Sequence, residues 1–246
     1  MKTLDLNCDL GEGCGQDQAL MPMITSANIA CGAHAGNEET MSATVALALE
    51  HQIAIGAHPG FADPSHFGRR EIWLSRQELF TLISRQIEQL ATITERQGGR
   101  LHHVKLHGAL YNQSARDPNC AAALVDAVKG FDPTLKVYVL AKSPLVDLAQ
   151  AADLTVIQEV FADRRYRPDG ALVPRQSADA LITDPLKCLQ QLEQMVCYQR
   201  VQACDGSWVS VKAQTLCLHG DGLHAVSFAQ AICQWMQRHH IDKRAP

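Results

Sequence analysis

Much of what would classify this 246-residue chain at a glance is missing from it. No apolar run reaches the roughly 20 residues of a membrane-spanning helix, which excludes an integral helical membrane protein. No charged segment followed by an apolar stretch opens the chain, so no secretion signal is expected. The nine cysteines include no C-x-x-C pair, and an odd count without a signal reads as reduced thiols in the cytoplasm. There is no basic excess: the net charge is −4, the wrong sign for a nucleic-acid-binding face. No G-x-G-x-x-G follows a strand-like run and no G-x-x-x-x-G-K-[ST] occurs, so neither a Rossmann site nor a P-loop is encoded. H-E-x-x-H and H-x-H are absent too, and the adjacent pairs His102-His103 and His239-His240 splay apart. Without a Pro/Gly/Ser-rich linker or a low-complexity stretch, residues 1–246 are expected to form one domain.

What is present is a regular alternation. Apolar residues make up 46% of the chain and charged residues 20%, enough for a large core. Short strand-like runs recur: Leu4 to Leu6, Ser26 to Cys31, Ile53 to Ala57, Leu101 to Leu106, Lys136 to Leu140, Leu154 to Gln158 and Thr215 to Leu218. A helix or short helical stretch is expected after each. Asn37 with Glu38 and Glu39 marks one helix start, and Ser75 with Glu78 forms a capping box at another. Asp117-Pro118, Ser143-Pro144 and Asp184-Pro185 place proline at a first helical position. Asp205-Gly206 between Val201 and Val211 signals a hairpin. Alternating β and α implies a parallel sheet, closed into a TIM-like barrel of seven or eight units, with an open doubly wound sheet as the alternative.

Chemistry gathers where those runs end. The first ends in Asp5-Leu-Asn-Cys-Asp-Leu-Gly-Glu-Gly13, which carries Asn7, Asp9 and Glu12. Later ones bring Asn28 and His34, then His58, then Lys105 and His107, then Glu159, then His219 and Asp221. In a parallel barrel all of these project toward one mouth. Long connections after the third and sixth runs add Arg69, Arg70, Arg164, Arg165 and Arg167. Such a pocket offers carboxylates for proton transfer, imidazoles near neutrality and guanidinium groups for anions. The plainer readings are structural histidines, surface arginines paired with Asp163 or Glu71, and Cys8, Cys31 and Cys217 as small buried hydrophobes. Histidine with aspartate at strand ends also suits a divalent metal, but the metal-free reading is preferred.

Seven blocks carry a specific resemblance. Besides the first, they are Ala27-Asn-Ile-Ala-Cys-Gly-Ala-His-Ala-Gly36, Ile55-Gly-Ala-His-Pro-Gly60, Phe67-Gly-Arg-Arg70, His103-Val-Lys-Leu-His-Gly-Ala-Leu-Tyr-Asn112, Glu159-Val-Phe-Ala-Asp-Arg-Arg-Tyr166 and Cys217-Leu-His-Gly-Asp221. In order, and over nearly the whole chain, they resemble the LamB/YcsF (lactam-utilisation) family, whose bacterial members are the A subunit of 5-oxoprolinase. The resemblance implies a seven-stranded parallel (β/α) barrel related to polysaccharide deacetylases. It implies a hydrolase of a cyclic amide: ATP-dependent opening of 5-oxoproline to L-glutamate, carried out with subunits B and C, with ATP as co-substrate and no metal beyond the magnesium that accompanies it. Leu106 stands where the family usually has proline, and Ala33 where an aromatic is common, a change toward a wider pocket.

On that footing Asp9 or Glu12 is expected to act as base, with His58 and His107 protonating or stabilising the departing groups. Lys105 with Arg69 or Arg70 is expected to hold developing charge or phosphate, and Glu159 with Arg164 or Arg165 the substrate. His219 and Asp221 form a second acid–base pair, and Asn7, Asn28 and His34 complete the binding set. The rival readings are a metal-dependent deacetylase of an N-acetyl sugar and a non-catalytic substrate-binding subunit.

Overall fold

A computed structural model describes residues 2–219 and 225–246. Its centre is a closed parallel barrel. Strands β1 (Lys2–Leu10), β2 (Ser26–Ala30), β3 (Ala54–His58), β4 (His103–Lys105), β5 (Lys136–Leu140) and β6 (Thr155–Phe161) pair in sequence order. A short antiparallel hairpin, β7 (Arg200–Gln202) with β8 (Trp208–Ser210), precedes β9 (Thr215–His219). β9 pairs with both β6 and β1, which closes seven strands into a ring and rules out the open sheet. A last strand, β10 (Ile241–Lys243), lies parallel to the first residues of β1. It falls in a stretch that reads as a charged tail; Ile241 is its one buried apolar anchor.

The outer layer follows the start signals. α1 (Asp17–Leu20) is short; α2 (Glu38–Glu50) begins at Asn37, whose side chain accepts from the Thr40 amide while the Thr40 hydroxyl accepts from the Asn37 amide. α3 (Arg76–Arg96) starts at the Ser75–Glu78 box, buries Leu79, Ile83, Ile87 and Leu90, and packs on a later helix. α4 (Gly108–Ser114) is an extra helix directly after β4. α5 (Pro118–Phe131), the partner of α3, is capped by Asp117, α6 (Pro144–Ala151) follows Ser143, and α7 (Pro185–Tyr198) is capped by Asp184. α8 (Ala225–Arg238) closes the set.

The barrel is unusual inside. TIM-type barrels generally fill their interior with branched aliphatic residues. Here the alternation of β1 sends Leu4, Leu6, Cys8 and Leu10 outward, under the helices, and Asp5, Asn7 and Asp9 inward. At the base Asp5 accepts from Thr25, Ser26 and Thr215 at 2.6, 2.7 and 2.5 Å, and the Ser26 hydroxyl meets Tyr138 at 3.1 Å. One layer up, Asn7 donates to Glu159 and Thr215, Asn28 donates to Asn7, and His103 meets the Asn28 oxygen at 2.8 Å. His103 fits because position 56 is glycine: a Cβ there would lie 2.1 Å from its Nε2. Buried polar groups of this kind are tolerable only when bonded to one another, and these are.

Candidate active site

The top layer opens into a cavity of about 1000 Å³ at the C-terminal end of the barrel. Asp9, Glu12, His58, Lys105 and His107 line its floor, with Tyr111, Leu140 and Phe161 beside them. Lys105 is the hub. Its Nζ lies 2.8 Å from Asp9 Oδ1, 2.9 Å from Glu159 Oε1, 3.2 Å from Asn7 Oδ1 and 3.0 Å from Cys217 Sγ. Burial works to lower its pKa, but the carboxylates, Asp9 foremost, outweigh this and hold it well above the ordinary lysine value. An ammonium has three protons, and four acceptors already surround this one. Lys105 therefore acts as a fixed positive charge that orients Asp9, and not as a spare donor.

The other half of the floor is imidazole. His58 Nδ1 meets the Lys105 carbonyl at 2.8 Å, and His107 Nε2 meets the Phe67 carbonyl at 2.9 Å. Their remaining nitrogens face each other at 3.0 Å. Glu12 Oε1 lies 3.3 Å from His107 Nδ1, 3.5 Å from His34 Nε2 and 3.9 Å from His58 Nε2. The His34 ring stacks on His107, 3.7 Å between centroids and 3° between planes. Gly68, at φ +60°, makes room for that stack: a Cβ there would come within 2.8 Å of His34. Burial lowers the His34 pKa to about 4 and that of His107 below the ordinary value, so both rings are neutral near pH 7.

The structure sorts the sequence-derived residues by depth. Asp9, Glu12, His58, Lys105 and His107 meet at the floor, and Arg69, Arg70 and Arg164 stand around the cavity. Asn7, Asn28 and Glu159 are fully buried beneath it, so they hold Lys105 and Asp9 in place instead of touching a substrate. His34 lies behind His107, outside the cavity lining. Arg165 is exposed and does not line the cavity; Arg167 and Arg175 do. The expected wider pocket at Ala33 is not found either: Ala33 faces a separate surface hollow beside Leu74 and Gln86. Asp221 and the side chain of His219 lie outside the described residues. Cys217 is buried as expected, but it points inward at Lys105, and burial holds its thiol well above the usual pKa. Asp5, His103, Tyr138 and Thr215 do not stand out in the sequence; the period-2 alternation through Asp5, Asn7 and Asp9 is the available signal for the first of them.

The arginines differ in their setting. Arg69 lies over the Phe67 ring, 4.7 Å from its centroid, and Arg70 reaches Asp63 at 3.4 Å. Arg164 is buried, donates to the Val173 carbonyl at 2.8 Å and has its Nε without a hydrogen-bond partner. Arg116 pairs with Glu71 at the rim.

The barrel is shared with a family 4 carbohydrate esterase from Streptomyces lividans, at a TM-score of 0.50 and 11% identity over 98% of this chain and 91% of that one. A protein from Enterococcus faecalis named for cellobiose-phosphate cleavage matches at 0.60 and 14% identity, over 98% and 96%. At such identities the likeness is one of fold. Agreement is far higher with the lactam utilization protein of Thermus thermophilus: a TM-score of 0.92 and 40% identity over 100% of both chains. The LamB/YcsF family model matches residues 4–246, and the chain belongs to the LamB/YcsF family.

Proposed function

We propose that this chain is the A subunit of a cytoplasmic 5-oxoprolinase, which opens 5-oxoproline to L-glutamate at the expense of ATP together with subunits B and C. Family membership and the named relative supply the lactam. The observation that carries the reading is a buried, carboxylate-bound ammonium, Lys105, at the floor of a cavity ringed by Arg69, Arg164, Arg167 and Arg175. Such a site suits a small anionic substrate whose charge increases during the reaction.

The chemistry follows from the amide. A lactam nitrogen is a poor leaving group, and the ring recloses readily. Transfer of the γ-phosphoryl group of ATP to the lactam oxygen makes the carbon electrophilic and the sequence downhill. One water adds to that carbon, the nitrogen takes a proton as the C–N bond breaks, and a second water releases the phosphate. In this scheme Asp9 or Glu12 receives the proton of the attacking water and passes one to the nitrogen, and His58 and His107 stabilise the departing groups. Lys105 keeps Asp9 aimed, Glu159 helps neutralise Lys105, and the arginines hold the substrate carboxylate and the phosphate. Since the chain carries neither nucleotide motif, the partners provide most of the phosphoryl-transfer machinery.

The test is reconstitution. The chain alone, and then with both partners, is given 5-oxoproline and ATP, and glutamate and phosphate are measured. Coupled release by the complex is expected. Alanine at Asp9, at Lys105 and at His107 each leaving that release near wild type would overturn the assignment. The convergence of His58, His107 and Glu12 favours a second reading, a metal-dependent deacetylase; it predicts acetate release from an N-acetyl sugar without ATP.

A further inference from the structure

We infer that Glu12, His58 and His107, with Asp9 beside them, form a binding site for a divalent transition-metal ion of the zinc, cobalt or manganese kind. The argument starts from two hydrogen bonds. A peptide carbonyl can only accept, so His58 carries its proton on Nδ1, toward the Lys105 carbonyl, and His107 carries its own on Nε2, toward the Phe67 carbonyl. The remaining nitrogens, His58 Nε2 and His107 Nδ1, are then both lone pairs, and they point at each other across 3.0 Å. Two lone pairs at that distance repel unless a cation lies between them.

Carboxylate oxygens complete the group. Glu12 Oε1 stands 3.3 Å from His107 Nδ1 and 3.9 Å from His58 Nε2, and it has no hydrogen-bond partner although buried. Asp9 Oδ2 is 3.5 Å from His58 Nε2. Ligands about 2.1 Å from a tetrahedral zinc lie about 3.4 Å from one another, the middle of this range. The backbone carbonyls behind both rings are the usual second tier of a metal-bound histidine: they fix the tautomer and aim the ring. His34 takes a different role. Its plane is parallel to that of His107, so an ion in the plane of one ring lies off the plane of the other. His34 is a positioning residue, a backing plate for His107. The cavity above leaves a coordination position open to water or a substrate oxygen.

The site stands whether the substrate is a lactam or an acetamide, because its first readout is the ion itself. Purified chain is stripped with chelator, reloaded with zinc or cobalt(II), desalted and analysed by mass spectrometry for bound metal. About one ion per chain is expected, with a rise in Tm on loading. His58→Gln and His107→Gln, each shown by circular dichroism to be folded, should weaken binding at least about 100-fold. The cobalt form should show visible ligand-field bands without an intense near-ultraviolet sulfur band. Three results would overturn the site: no stoichiometric ion in the wild-type chain, undiminished binding in both folded variants, or a strong cobalt–thiolate band, which would move the ion to cysteine. If the glutamine variants do not fold, Glu12→Gln read by the same three measurements decides the matter.

Discussion

Lys105 Nζ and Asp9 Oδ1 stand 2.8 Å apart at the floor of the cavity, joining the fourth barrel strand to the first. Asp9 and Glu159 are both buried, and Lys105 Nζ lies within salt-bridge distance of each. Lys105→Met leaves those carboxylates uncompensated and should cost on the order of 3 kcal/mol of stability. Urea denaturation of the two chains measures it. In the reconstituted complex, turnover should fall by at least about 100-fold; a variant as stable and active as wild type would show that the pair is incidental.

Gly56→Ala tests the polar interior from below. The added methyl has no space while His103 keeps its place, and moving His103 breaks its bond to Asn28, which in turn holds Asp9. A loss of about 3 kcal/mol is expected by overpacking and an orphaned amide together. Soluble protein with an unchanged urea midpoint would contradict it.

Neighbouring arginines should behave unalike. Arg164→Ala removes a buried guanidinium from the cavity wall, and the KM of the complex for its substrates should rise at least about tenfold. Arg165→Ala removes an exposed one and should change stability by no more than about 0.5 kcal/mol, with kcat/KM unaltered. Steady-state kinetics on both variants separate the two positions.

Acid should destabilise the metal-free chain before it protonates the carboxylates. Burial first, and neighbouring imidazoles, depress the pKa of His34 to about 4 and lower those of His103 and His107. Unfolded, each titrates near 6.5, so the unfolded chain binds more protons below that point. The stabilisation is complete above pH 6.5 and is lost as the pH falls toward 4. For His34 alone the fall from 6.5 to about 4 is worth on the order of 3 kcal/mol. Asp5, raised by burial, works in the opposite direction. Denaturant midpoints measured at pH 7, 6 and 5 should decrease in that order; a flat profile would refute the balance.

The barrel is legible in the sequence because its strands are short apolar runs closed by turn residues, and five helix starts carry capping or proline signals at Asn37, Ser75, Asp117, Ser143 and Asp184. Residues at the strand ends are legible as a group. Their depth is not: Asn7 and Asp9 differ by one pleat, yet one is a girder and the other faces the cavity. Register between strands decides that, and no single strand encodes it. Arg164 and Arg165 look alike in sequence for a related reason, since neither belongs to a regular element whose period would say which one turns inward. β10 escapes a reading from sequence because three residues with one apolar anchor make no pattern, and only the waiting edge of β1 selects them.

The wired interior also bears on how such a barrel can change. Replacing any one member from Asp5 up to Lys105 strands a donor or acceptor on its neighbours, so the inside resists gradual conversion to hydrocarbon. Novel specificities in this scaffold should arise at the loops bearing arginine, where a swapped side chain disturbs a local contact such as Arg70 with Asp63 and leaves the buried chain of donors and acceptors intact.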